Sequence, residues 1–215
     1  MTIIPFINSN DNYATIITEK SKFKLDGKEV CIVNLDDEQF SDEMDSNVSY
    51  DLRVGESYRD HIKNKTVSIS ENQNIRLKPG AALIIETEEE VHFPLNKFGQ
   101  ILPKVKLLEK GVSNTTSKID PGYQGSLTIT LFNLGKETIF LDRKEKFCSL
   151  IIQDIADGAR PYQKKGKKLP NTKKNILLND KVNVFVKDNA TIITILISLM
   201  SLAAIVVSSY AAITK

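Results

Sequence analysis

Ile119-Asp120-Pro121-Gly122-Tyr123-Gln124-Gly125-Ser126-Leu127-Thr128-Ile129-Thr130-Leu131-Phe132-Asn133 reads as a tight turn that runs into a strand. Asp-Pro-Gly supplies a backbone-capping side chain, a fixed φ and a residue free to take positive φ, which is what a sharp reversal needs. From Ser126 to Leu131 polar and apolar residues then alternate with period two, the pattern of a strand with one buried face. The same grammar recurs outward from this block. Short β-branched runs at Glu29–Asn34, Thr66–Ile69, Ala82–Ile85, Gln124–Phe132 and Glu137–Leu141 are separated by turns at Asp26-Gly27, Lys78-Pro79-Gly80 and Asn133-Leu134-Gly135. Long stripes of 3.6-residue period are missing from residues 1–157, so the fold class expected there is all-β, a sandwich or barrel.

The remainder of the chain is different in kind. The 215 residues carry a net charge of only +2, but Arg160 to Asp188 holds nine Lys or Arg against two Asp, and the residues before it are acidic on balance. An acidic head argues against a general nucleic-acid grip, which needs a basic face on the folded domain. Asn189 to Thr214 contains no Asp, Glu, Lys or Arg, and 17 of the 22 residues from Ile192 to Ile213 are hydrophobic. As a helix, 22 residues span about 33 Å, matching a hydrocarbon core of roughly 30 Å. Lysines before the segment, with only Lys215 after it, orient the head toward the cytoplasm by the positive-inside rule. Three parts are therefore expected: a β domain over 1–157, a basic linker over 158–188, and a single-pass transmembrane tail anchor over 189–215. A short strand at Val182, Val184 and Val186 is an expected detail of the linker.

Cys31 and Cys148 are too few and too widely spaced for a disulfide scaffold or a zinc pair, and are expected to be buried thiols. His61 and His92 have no nucleophile at a recognisable spacing and are expected as surface or turn histidines. The acidic run from Asp36 to Asp45 suits a surface insertion. No phosphate-cradling P-loop or dinucleotide turn is present, and no metal ligand set is assigned.

Ser49-Tyr50-Asp51-Leu52-Arg53-Val54-Gly55, Leu77-Lys78-Pro79-Gly80, the Ile119–Leu127 block and Leu131-Phe132-Asn133 together resemble the dCTP deaminase and dUTPase superfamily over about residues 49–155. The resemblance implies a distorted jelly-roll head, assembly as a homotrimer, and nucleotide sites between subunits. It also implies roles. Asp120 matches the carboxylate that orients or deprotonates an attacking water, and Tyr123 matches the aromatic that packs beneath the deoxyribose. Lys104, Lys106 and Gln124 join them as candidate nucleotide-binding residues.

Other matching positions depart from the family pattern. Lys104-Val105-Lys106 stands where an Arg-Ser-Ser phosphate grip is usual, and an ammonium cannot reproduce a bidentate guanidinium. Glu109 stands where deaminases have a further Arg, Ser149 where a phosphate-contacting Gln is common, and Thr130 where deaminases have their proton-transfer Glu. Thr does not titrate near neutral pH and cannot relay a proton as a carboxylate does. The Gly-rich C-terminal arm of dUTPases has no counterpart, its place being taken by the Lys-rich stretch.

The leading expectation is thus a membrane-anchored, catalytically degenerate sensor or scaffold that binds a pyrimidine deoxynucleotide such as dCTP, dUTP or dTTP. One alternative is an active dUTP pyrophosphatase or dCTP deaminase, with Mg²⁺ arriving on the nucleotide and Asp120 as base. Another is a structural trimer at the lipid bilayer with no ligand.

Overall fold

The computed structural model describes residues 2–6, 15–40, 48–61, 65–156, 158–164, 166, 168–169 and 189–213. Two compact units result, Met1–Thr172 and Lys173–Lys215. The first is built from thirteen strands, β1 (Thr2–Ile4), β2 (Ile16–Ile17), β3 (Val30–Val33), β4 (Tyr50–Asp60), β5 (Thr66–Ser68), β6 (Asn74–Leu77), β7 (Ala82–His92), β8 (Lys97–Pro103), β9 (Val112–Asn114), β10 (Ser117–Ile119), β11 (Gln124–Asn133), β12 (Ile139–Asp142) and β13 (Lys146–Asp154), with one helical turn, α1 (Val105–Leu108), between β8 and β9. The main ladder runs β10-β8-β13-β4-β7-β11-β9, and β12 pairs separately with β6. All pairings are antiparallel except β2 with β3.

The mostly-β expectation holds, and every sequence-predicted strand is present. Several strands escaped the pattern. β4, β8 and β13 have no clean alternation of residue type, and β7 runs on from Ile85 through Glu86-Thr87-Glu88-Glu89-Glu90 to His92. Burial along β7 nonetheless alternates without a break, with Leu83, Ile85, Thr87, Glu89 and Val91 all facing the interior. The core they join includes Tyr50, Leu52, Val54, Ile129, Leu131, Phe147, Leu150 and Ile152.

Two polar residues on that inward face have built-in partners. Thr87 Oγ1 donates to the Glu89 carbonyl at 2.8 Å and accepts from Leu127 N at 3.2 Å, at the place where the β11–β7 register slips. Glu89 is fully buried, and its carboxylate accepts from Tyr50 Oη at 2.7 Å, Arg53 Nε at 2.7 Å and Arg53 N at 3.0 Å. Burial pushes the Glu89 carboxyl up from the usual range, and these donors oppose that shift. Tyr50 Oη also accepts from Asp36 N at 3.0 Å, and Arg53 reaches the Asn34 carbonyl, so one buried carboxylate ties β4 and β7 to the loop after β3.

Cys31 and Cys148 are free and buried as expected. His92 differs from its expectation: it lies at the end of β7, buried, with Nε2 3.0 Å from Glu90 Oε1 and its ring 5.4 Å from that of Phe23. Its position at the end of a long inward-facing strand, hidden by the glutamate run, is the reason.

The described element of the second unit is helix α2 (Ala190–Ile213). Among the described residues no helix is long and apolar enough to cross a membrane. Its described side chains extend from Thr191 to Ile205, about 22 Å of helix, against a hydrocarbon core of roughly 30 Å. The single-pass span expected from the sequence is accordingly not borne out by the structure. The short strand expected at Val182, Val184 and Val186 lies outside the described residues.

Replacing Glu89 with Gln keeps its shape but leaves Arg53 without its counter-charge in a dry site. Unfolding in urea should show a loss of about 3 to 5 kcal/mol, the range for breaking a buried pair from one side; a loss below about 1 kcal/mol would mean the network is not structural.

Candidate functional site

β10 pairs with β8, the chain reverses at Asp120–Tyr123, and β11 begins at Gln124. Tyr123 N donates to the Asp120 carbonyl at 3.1 Å, closing a four-residue turn, and Gly122 takes φ +79°. Pro at the second position and positive φ at the third are the signature of a type II turn, so the D-P-G sequence is read directly in the backbone. The turn is pinned to the neighbouring strand end because Gly122 N donates to the Phe93 carbonyl and Phe93 N to the Tyr123 carbonyl.

This turn brings three of the candidate residues together. The Asp120 carboxylate is about one-third exposed and pairs with Lys118 Nζ at 2.7 Å. Tyr123 is half-buried, donates from its hydroxyl to the Ser126 carbonyl at 2.6 Å, and has its pKa pushed up to about 12, first by burial and then by Tyr162, Glu86 and Glu90. Gln124 is exposed, with Oε1 3.4 Å from His92 Nδ1. A cleft of about 230 Å³ opens here, lined by Ser117, Lys118, Tyr123, Thr128 and Tyr162 among others. Asn114, on the hairpin that leads into β10, is buried with its Oδ1 left without a hydrogen bond. Nothing in the residue pattern had singled it out.

Lys104 and Lys106 lie elsewhere. Lys104 precedes α1 and forms an ion pair with Asp51, whose other oxygen accepts from Ser149 Oγ at 2.6 Å. Lys106 is exposed on α1. In the β8–β10 ladder Ile119 pairs with Gly99, which sets Asp120 beside Phe98, six residues along β8 from Lys104. At about 3.4 Å per residue the two side-chain positions are roughly 20 Å apart. One chain therefore holds the candidate set as two separate halves. Thr130 is in the middle of β11, opposite Ile84, with its carbonyl accepting from Thr115 N at 3.2 Å.

A larger cleft, about 540 Å³, is acidic, with Glu56, Glu86 and Glu88 joined by Ser57, Ser126, Lys168 and Leu169. Its glutamates are engaged: Glu86 accepts from Ser57 Oγ at 2.6 Å, and Arg143 Nη2 lies 2.9 Å from Glu88 and 3.3 Å from Glu56. Among the described residues no group of three or more His, Cys, Asp or Glu could hold a metal ion.

The dCTP deaminase-like family model matches residues 16–155, and the chain belongs to that family. The match extends some thirty residues further toward the N-terminus than the motifs alone indicated. A dCTP deaminase of Thermococcus gammatolerans is 31% identical over 127 residues, 59% of this chain and 80% of that protein. A deoxyuridine 5'-triphosphate nucleotidohydrolase of Escherichia phage T5 is 32% identical over 78 residues, 35% of this chain and 53% of that protein. Among solved structures, a dCTP deaminase from Agrobacterium tumefaciens is similar at 18% identity and TM-score 0.44, over 50% of this chain and 38% of that one. Native EIAV dUTPase is similar at 24% identity and TM-score 0.42, over 59% of this chain and 92% of that one.

The raised Tyr123 pKa carries a sign that can be measured. From the ordinary value near 10 up to about 12 the unfolded chain has lost this proton while the folded chain keeps it. Stability should be at its full value below pH 10 and fall as pH rises through that window. Tyr123→Phe should flatten the fall, as read from denaturation midpoints at successive pH values, and an unchanged slope would contradict the assignment.

Proposed function

We propose that the head binds a pyrimidine deoxynucleoside triphosphate and hydrolyses it, releasing pyrophosphate, with Asp120 as general base. The observation that carries this reading is the Asp120–Tyr123 turn beside an open cleft in a chain of the dCTP deaminase-like family. The relatives named above are a deaminase and a nucleotidohydrolase, and the two chemistries make different demands. Deamination needs a proton relay at the pyrimidine, which Thr130 cannot provide. Hydrolysis needs a base for water and cations for the phosphates, and the chain has Asp120, Lys118, Lys104 and Lys106. In the hydrolytic step Asp120 takes a proton from water as its oxygen attacks the α-phosphorus; the α–β bridging oxygen leaves with pyrophosphate. Mg²⁺ would arrive with the triphosphate.

Assembly as a homotrimer belongs to the same proposal. With Asp120 and Lys104 at opposite ends of the β8–β10 ladder, a complete site requires Lys104 from a second copy. The non-catalytic sensor or scaffold stands as the second reading, favoured by the Lys104–Asp51 ion pair, which leaves that ammonium partly neutralised. A membrane anchor with the head on the cytoplasmic side is also proposed, resting on the uncharged stretch Asn189–Thr214 and the lysines before it. Its check is whether the full chain resists alkaline extraction from membranes, which it should if anchored.

Incubation with dUTP and dCTP, followed by chromatography of the products, tests the chemistry. dUMP and pyrophosphate from dUTP are expected, with a loss of at least about 100-fold in rate for Asp120→Asn, the usual worth of a general base. Binding without products would favour the sensor; ammonia release from dCTP would restore deamination. Mixing Asp120→Asn chains with Lys104→Ala chains should recover activity that neither has alone, since mixed trimers contain some intact sites.

A further inference from the structure

Residues 158–169 were expected to belong to a linker, yet their described members pack along the candidate site. Tyr162 N donates to the Pro121 carbonyl at 2.7 Å and Gly166 N to the Gln124 carbonyl at 3.1 Å, so the segment adds main-chain hydrogen bonds along the turn and the start of β11. The Tyr162 ring stands 5.2 Å from that of Tyr123, tilted by 53°. Gly166 is pressed on the strand so closely that a Cβ there would lie 2.6 Å from the Gln124 carbonyl oxygen and 2.9 Å from the Tyr123 hydroxyl. Beyond it Leu169 is only 8% exposed, and Leu169 and Lys168 both line the acidic cleft of Glu56, Glu86 and Glu88.

These contacts have a direction. An acidic pocket that takes up the chain's own Lys-Leu pair holds the far end of the strap, and two main-chain bonds hold its near end over the turn. The cleft that remains beside Tyr123, about 230 Å³ with Tyr162 in its wall, is smaller than the roughly 300–1,000 Å³ of ordinary small-molecule pockets.

We propose that residues 161–169 form an autoinhibitory latch: Leu169 and Lys168 dock in the acidic cleft, Tyr162 fills space beside Tyr123, and the site admits a ligand only when the strap lifts. A site that is open for only a fraction of the time shows an apparent affinity reduced by that fraction. The identity of the excluded ligand rests on the nucleotide reading above; the closure of Tyr123 does not.

The test uses the full chain in detergent micelles and two variants that evict the strap without altering the turn: Gly166→Val, which places methyl groups against the Gln124 carbonyl, and Leu169→Asp, which puts a charge into the acidic cleft. Hydrogen exchange should show the Tyr162 and Gly166 amides protected in the wild type and unprotected in both variants. Nitration of Tyr123 by tetranitromethane should rise in step. Titration with dUTP and dCTP should give apparent affinities about tenfold or more tighter in the variants. Unchanged exchange and nitration in both variants would overturn the latch. Strap release with equal or weaker nucleotide binding would overturn its inhibitory role and make the strap part of the binding surface. Strap release and Tyr123 exposure with no binding of either nucleotide to any form would support the latch and defeat the nucleotide reading alone.

Discussion

The head is organised around a carboxylate that cannot reach water. Glu89 faces the core from the centre of β7, where a strand of this kind would ordinarily put an apolar side chain, and its burial is tolerable only because three donors converge on it. Those donors come from Tyr50 and Arg53 on β4, and both residues continue to the loop after β3, through Asp36 N and the Asn34 carbonyl. The pairing of β4 with β7, and of β7 with β3, is thereby bound to a single register. A slip of one residue would turn Glu89 outward and point Glu88 or Glu90 into the core without partners. The Ser49–Gly55 motif is thus accounted for by the fold as well as by any role at a site.

How much of this was legible from residues alone follows from where hydrophobic alternation survives. β11 could be read because Ser126 to Leu131 alternates cleanly after a D-P-G turn, and the turn geometry matches its composition. β7 could be read only as far as Ile85, because the inward positions beyond it are Thr87 and Glu89, whose burial depends on partners about 35 to 40 residues away in sequence. The long strands β4 and β13 mix charges into both faces for the same reason. At the site, the residues of the turn come together as their spacing suggests. The separation of Lys104 from Asp120 is a property of the β8–β10 register, and no motif encodes it.

The strap illustrates a second limit of composition. Six lysines around Gly166 and Pro170 describe a segment that cannot fold by itself, and by itself it has nothing to bury. What composition omits is the surface next door: a glycine-lined strand start, an aromatic ring and an acidic hollow, each complementary to a particular residue of the strap. Order in such a segment is borrowed from its neighbour, and it can be returned when that neighbour is occupied by something else.

β13 lies between β8 and β4 in the main ladder, and it is the last strand of the head to be made. The β10-β8 pair on one side and the β4-β7-β11-β9 group on the other share no direct pairing in that ladder, so until residue 154 is available the chain holds two half-sheets with raw facing edges. During synthesis the head is therefore obliged to wait for its C-terminal strand. The residues that follow, strap first and helix afterward, emerge at the moment the sheet closes, when the turn at Asp120 has only just acquired the surface on which the strap rests.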